Sequence, residues 1–248
     1  MVDSVDALTV FVVALLTALA TGLGALPLLF TRGAGVAALG LANAVASGVM
    51  AGASMSLVLK GADLSAARTA FGAVAGVVFI VGVSRFLHAP HRPHEFGSLR
   101  GDDARKALLI VAVMTVHSVA EGVGVGAAFG GGQTLGLLIA LAIAVHNIPE
   151  GLAISLVLVP RGASVRSAAG WSIFSSLPQP LLAVPAYLFV EEFEGILPAA
   201  LGFAAGAMVW MVARELLPEA LEQAPARRVA ATAIGAFAAM LAFQILLL

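Results

Sequence analysis

The chain has 248 residues, 60% of them hydrophobic and 11% charged, with net charge −1 and mean hydropathy +1.04. A soluble domain carries roughly 25% charged residues, so this composition excludes a soluble enzyme, and a balanced charge offers nucleic acid no basic surface. Cysteine is absent, which removes disulfides, thiolate metal sites and cysteine nucleophiles together. The apolar runs are continuous, not alternating, which points to helices and away from a β-barrel. The expected class is an all-α integral membrane protein, a single bundle over residues 1–248 with the lipid bilayer as its surroundings.

In chain order, residues 1–5 are a short polar start. The first apolar run, about 7–30, is too long for a signal-peptide core and lacks a basic flank, so it reads as a true span containing Gly22, Gly24 and Pro27. Arg32 and Gly33 suit a tight turn. A second span, about 34–59, carries Asn43, Ser47, Met50, Ser54 and Met55. Lys60 to Ser65 reads as a turn with an N-cap for a third span at about 66–88. The polar segment at about 89–104 follows. Spans four and five, about 105–129 and 134–159, are joined by Gly130-Gly131-Gly132, a connection so short that the two helices must be antiparallel neighbours. Span six, about 166–190, is broken at Pro178-Gln179-Pro180 and ends in the acidic loop Glu191, Glu192, Glu194. Span seven, about 196–220, carries Arg214, Glu215 and Pro218, and span eight runs from about 229 to 248. The count is eight helices.

Two near-copies of one pattern lie in spans four and five: His117-Ser-Val-Ala-Glu121-Gly122 and His146-Asn147-Ile-Pro149-Glu150-Gly151. A His and a Glu four apart share one helical face, one turn above each other. Two such pairs on neighbouring helices supply two imidazoles and two carboxylates, a sufficient ligand set for Zn²⁺ or a similar ion. The bland alternative is a set of buried polar groups that tie helices together by hydrogen bonds. Electrostatics favours the ligand site. Glu121 and Glu150, close together in low dielectric, would repel and take up protons, and a bound dication removes that cost. Pro149 cannot donate to the Val145 carbonyl, so that oxygen is freed beside the pattern. Transporters place such interrupted helices at mid-membrane ion sites. The residues therefore read as a membrane transporter for a divalent transition metal.

His146 to Gly151 resembles the fifth-helix signature of the ZIP family of zinc and iron transporters. His117 to Gly122 resembles the fourth-helix signature, and Gly22-Leu-Gly-Ala-Leu-Pro27 the first helix. The resemblance implies eight transmembrane helices, with helices 1–3 and 6–8 as inverted repeats around 4 and 5, and uptake of metal into the cytoplasm. It implies that His117, Glu121, His146 and Glu150 hold the metal. The ion is transported substrate, Zn²⁺ first and Fe²⁺, Mn²⁺ or Cd²⁺ also, with no cofactor and no enzymatic activity. Some family members bind a second metal through an Asn, an Asp and a Glu where this chain has Ser118, Asn147 and Gln179. All three are neutral here, so one ion is expected. Gln179 reads either as a kink residue or as part of the metal path. Met50 or Met55 offers a thioether, although methionine in an apolar helix is usually packing. Glu215 replaces part of a His-Glu pair of the family; it reads as a transient ligand near the exit or as a partner of Arg214 in a clamp. His88, His91, His94 and Glu95 stand where the family often has a His-rich loop, and read as solvated linker. Gly122, Gly124, Gly126 and Gly130 read as close-packing positions. The rival functions are a zinc-dependent intramembrane hydrolase and a metal-free proton-conducting or regulatory protein. A homodimer is left open.

Orientation follows from the basic residues. With the N-terminus outside, Arg32, Arg85, Arg92, Arg100, Arg105, Lys106, Arg161, Arg166, Arg227 and Arg228 lie inside, and only Lys60 and Arg68 outside. The expected location is the cell (plasma) membrane with both termini outside. Because the chain lacks cysteine, single cysteines report side cleanly. One introduced near Glu95 should react only from the cytoplasmic side and one near Phe193 only from outside; the reverse pattern would sink this orientation.

Overall fold

A computed structural model describes residues 5–30, 35–87, 95–96 and 99–247. Asp6 caps the first helix, accepting from the Thr9 amide at 2.8 Å, and α1 runs Ala7–Leu23. A short 3-10 turn, Leu26–Leu29, follows Gly24 with Pro27 at its start. The expected turn at Arg32 lies outside the described residues. Next comes α2, Val36–Leu87. Its 52 residues would reach about 78 Å at ~1.5 Å per residue, far beyond a hydrocarbon core of roughly 30 Å. Ser65 divides it. That residue leaves helical geometry (φ −167°, ψ 101°), and its carbonyl accepts from the Thr69 hydroxyl at 2.9 Å. The expected turn over 60–65 is thus narrower than the sequence suggested: residues 60–64 stay helical and the break is Ser65 itself.

Two short strands, β1 Glu95–Phe96 and β2 Leu99–Arg100, pair antiparallel in the polar segment. Then α3, Gly101–Gly130, and α4, Gln133–Leu158, form the helical hairpin the glycines demanded. Gly132 supplies its sharp turn with φ +119°, a conformation that favours glycine. Ser164 caps α5, Val165–Ser176, and α6, Pro178–Glu192, restarts after Leu177 with Pro178 in its first turn, where the missing N–H costs nothing. The chain ends with α7, Leu197–Met211, a π-turn at Val212–Leu216, the short α8, Leu217–Gln223, and α9, Ala226–Leu246.

Seven helical stretches among the described residues are long and apolar enough to cross a membrane. The eight stretches expected from sequence map onto seven because the second and third run together through Ser65. Polarity is inverted relative to a soluble protein. Phe71, Val74, Val78, Ile234 and Ile245 face outward, while Thr17, Thr21, Ser172, Ser175, Ser176 and Gln179 are buried. The core of the α4 stretch is 61% buried against 17% for α9, so α4 is central and α9 peripheral.

Candidate metal site

Both repeated patterns sit on the central hairpin, and their glycines explain how other helices reach them. A methyl on Gly122 would meet the Gln179 carbonyl oxygen at 2.6 Å, and one on Gly151 would run into the Thr21 carbonyl. Glycine directly after each Glu therefore lets α6 approach beside Glu121 and α1 approach beside Glu150. Gly24 adds the reciprocal contact, since a methyl there would strike the backbone at Ile148 and Leu152.

The structure brings His117, Glu121, His146 and Glu150 together. Each offers a ligand atom, and these atoms all lie within 4.8 Å of one another. None of the four is more than 1% exposed. The pairing differs from the one suggested by spacing. Glu121 Oε1 lies 3.1 Å from Nε2 of its own helical partner His117 and contacts Nε2 of His146 across the hairpin. The two imidazole rings are 6.4 Å apart, tilted by 49°. Both oxygens of Glu150 are buried with no hydrogen-bond partner among the described residues, and so is His146 Nδ1. A buried carboxylate without a donor is costly. Two like charges about 4 Å apart also repel by roughly 4 kcal/mol at an effective dielectric of ~20. The arrangement suits a cation that draws in both carboxylates and both imidazole nitrogens, and this donor set matches zinc and its neighbours.

The other flagged residues divide. Ser118, Asn147 and Gln179 are fully buried beside the four. Gln179 Nε2 donates to Glu121 Oε2, its Oε1 accepts from the Thr17 hydroxyl at 2.7 Å and Asn147 Nδ2 at 3.2 Å, and Asn147 Nδ2 also donates to the Thr17 carbonyl at 2.7 Å. Met50 is buried within the apolar core, whereas Met55 is 41% exposed on the other side of its helix. Glu215 is absent from the four-residue cluster. It lies half-buried in the π-turn and lines, with Arg214 and Arg161, a separate cavity of about 490 Å³. Arg214 stacks over Trp210, 5.8 Å from the ring centre. Glu191, Glu192 and Glu194 are exposed. His88, His91 and His94 lie outside the described residues, as does the side chain of Glu95.

Sequence reading missed Thr17, Thr21 and Ser176. Thr21 and Ser176 share a hydrogen bond of 2.8 Å, tying α1 to α5 beside the site. The signal was present: Val10, Ala14, Thr17, Ala18 and Thr21 recur at helical spacing, so both threonines sit on the buried face of α1.

Residues 88–244 match the family described as ZIP zinc transporter. A provisionally named zinc transporter of Arabidopsis thaliana is 44% identical over 98% of this chain, which spans 40% of that relative's length. Zinc transporter GufA of Myxococcus xanthus is 35% identical over 84% of this chain and 87% of its own length. Zinc transporter ZIP11 of Xenopus tropicalis is 32% identical over 62% of this chain and 48% of its own length.

A metal ion held by this set would bind in a pH-dependent way. Imidazole ligates only when its ring nitrogen is free of a proton, and carboxylates ligate as anions, so protons compete with the ion at every ligand. Zinc affinity should therefore fall on acidification. Titration of purified protein with zinc at neutral and mildly acid pH checks this, and equal affinities at the two values would remove the imidazoles from the ligand set.

Proposed function

This chain belongs to the ZIP zinc transporter family, and from that premise we propose that it carries divalent transition-metal ions across the membrane, with zinc the foremost substrate. The observation that supports this reading best is the sealed quartet His117, Glu121, His146 and Glu150, whose ligand atoms lie within 4.8 Å of one another. Charged groups at bilayer depth are expensive and mark ion paths. The zinc transporters named in bacteria, plants and vertebrates support zinc as cargo; the same donor set also serves Fe²⁺, Mn²⁺ and Cd²⁺. The hydrolase alternative is not favoured, since these relatives are named as transporters.

In this proposal eight helices cross the bilayer, the two arms of α2 counting separately. Helices 1–3 and 6–8 form inverted repeats around the central hairpin, as the family resemblance implies. The protein lies in the plasma membrane with both termini outside, and metal moves inward. The ion sheds water to enter the quartet, where two carboxylates balance its charge and two imidazoles complete its shell. Release requires that the α1 and α6 faces part from the hairpin, and the close glycine contacts are where such sliding surfaces meet. Glu215 and Arg214 would then stand beside the onward path.

Reconstitution into proteoliposomes tests transport directly. Radiolabelled zinc should accumulate in loaded vesicles, with competing ions ranking the substrates. Glu150→Gln should abolish uptake, because no other carboxylate faces the ion from α4, while Gln179→Ala should slow it without abolishing it. Uptake by Glu150→Gln at the wild-type rate would contradict the proposal.

A further inference from the structure

The hydrogen bonds beside the quartet run in one direction only, and that direction has a consequence for how many ions the site holds. The backbone carbonyl of Thr17 can only accept. Asn147 lies 2.7 Å from it, so the amide nitrogen and not the amide oxygen must face it; the reverse flip would set two acceptors against each other. The same Asn147 nitrogen then points its second N–H at Gln179, 3.2 Å away, which fixes Oε1 of Gln179 on that side. The Thr17 hydroxyl, 2.7 Å from Gln179 Oε1, has one proton and two acceptors in reach, Oε1 and the Ala14 carbonyl, and is compatible with this orientation. Gln179 Nε2 is left facing Glu121 Oε2 as a donor.

We propose that this chain, Thr17 carbonyl to Asn147 to Gln179 to Glu121, makes Gln179 a positioning residue. It holds one oxygen of Glu121 with a neutral donor, leaves only Oε1 for the metal, and so limits the site to a single ion. A carboxylate bridges two cations by giving one oxygen to each. Here Oε1 is the atom aimed at both imidazoles, and Oε2 is already capped. A neutral amide stands where a second cation would have to sit. Asn147 sacrifices its own acceptor to anchor the chain, since its Oδ1 is buried without a partner among the described residues. An orphaned buried amide oxygen is not a cheap packing solution, and its cost is accounted for if the donor end is what matters. The anchor comes from α1, so the ligand geometry on α3 is set by three other helices at once.

The inference rests on the reading of the quartet as the metal site, and the experiment separates the two. Zinc alone is titrated into the purified full chain by equilibrium dialysis. The wild type should bind one tight zinc per chain. In Gln179→Glu an acceptor faces Glu121 Oε2, so a second zinc per chain should appear. Asn147→Leu removes the anchor without adding charge; it should keep one zinc and bind it about fivefold more weakly, the scale of losing a neutral hydrogen bond. Two zinc ions in the wild type, one in Gln179→Glu, or unchanged affinity in Asn147→Leu would overturn the inference. Should Gln179→Glu not be recovered folded, the wild type and Asn147→Leu decide. Glu150→Gln tests the reading beneath: wild-type zinc binding there would remove the quartet itself as the site.

Discussion

Two carboxylates and two imidazoles buried in one place, with water excluded, constrain everything around them. Such a cluster is unstable alone, because burial penalises each charge and proximity penalises the pair. Helix α3 and helix α4 must be held against each other strongly enough to keep Glu121 and Glu150 together. The tight Gly132 turn and the apolar core around the hairpin do this. The residual penalty favours any ligand that neutralises it. The proposed transport role requires that the cluster be neither a permanent ion pair nor a satisfied polar core. The uneven pairing, with Glu121 engaged by both imidazoles and Glu150 by none, leaves the cluster ready to accept a cation.

Backbone proximity is the second theme. Helices that lack a hydrophobic drive toward each other in lipid pack through small residues that let backbones touch. In this chain the contacts are placed at the chemistry. Gly122 and Gly151 each follow a Glu of the buried quartet, and Gly24 meets the α4 backbone beside Pro149. Pro149 frees the Val145 carbonyl one turn before it. The same arrangement is repeated away from the site: Gly72 and Gly76 on α2 lie against the α7 backbone, and Gly202 and Gly206 on α7 lie against α2.

Much of this was legible in the sequence because the signals are local. His-x-x-x-Glu on a helix fixes which face the ligands share, and a three-glycine link fixes the hairpin. The segment at Pro178 was legible as a break for the same reason. What depended on tertiary packing was not. Spacing paired each His with its own Glu, whereas the hairpin places His146 on Glu121. The Lys60–Ser65 turn was drawn too wide, because helix continues wherever no side chain forbids it and only Ser65 breaks geometry. Spacing places Thr17 on the buried face of α1, but its bonds to Asn147 through the carbonyl and to Gln179 through the hydroxyl arise only from helix packing.

The central claim is that histidine nitrogen and glutamate oxygen from α3 and α4 together hold the ion. X-ray absorption at the zinc edge of the wild-type protein loaded with one equivalent of zinc tests it most directly. The account predicts imidazole nitrogen at about 2.0–2.1 Å together with carboxylate oxygen at about 2.0–2.2 Å. The chain has no cysteine, so sulfur could come only from methionine. A shell without imidazole scattering, or one containing sulfur, would contradict it.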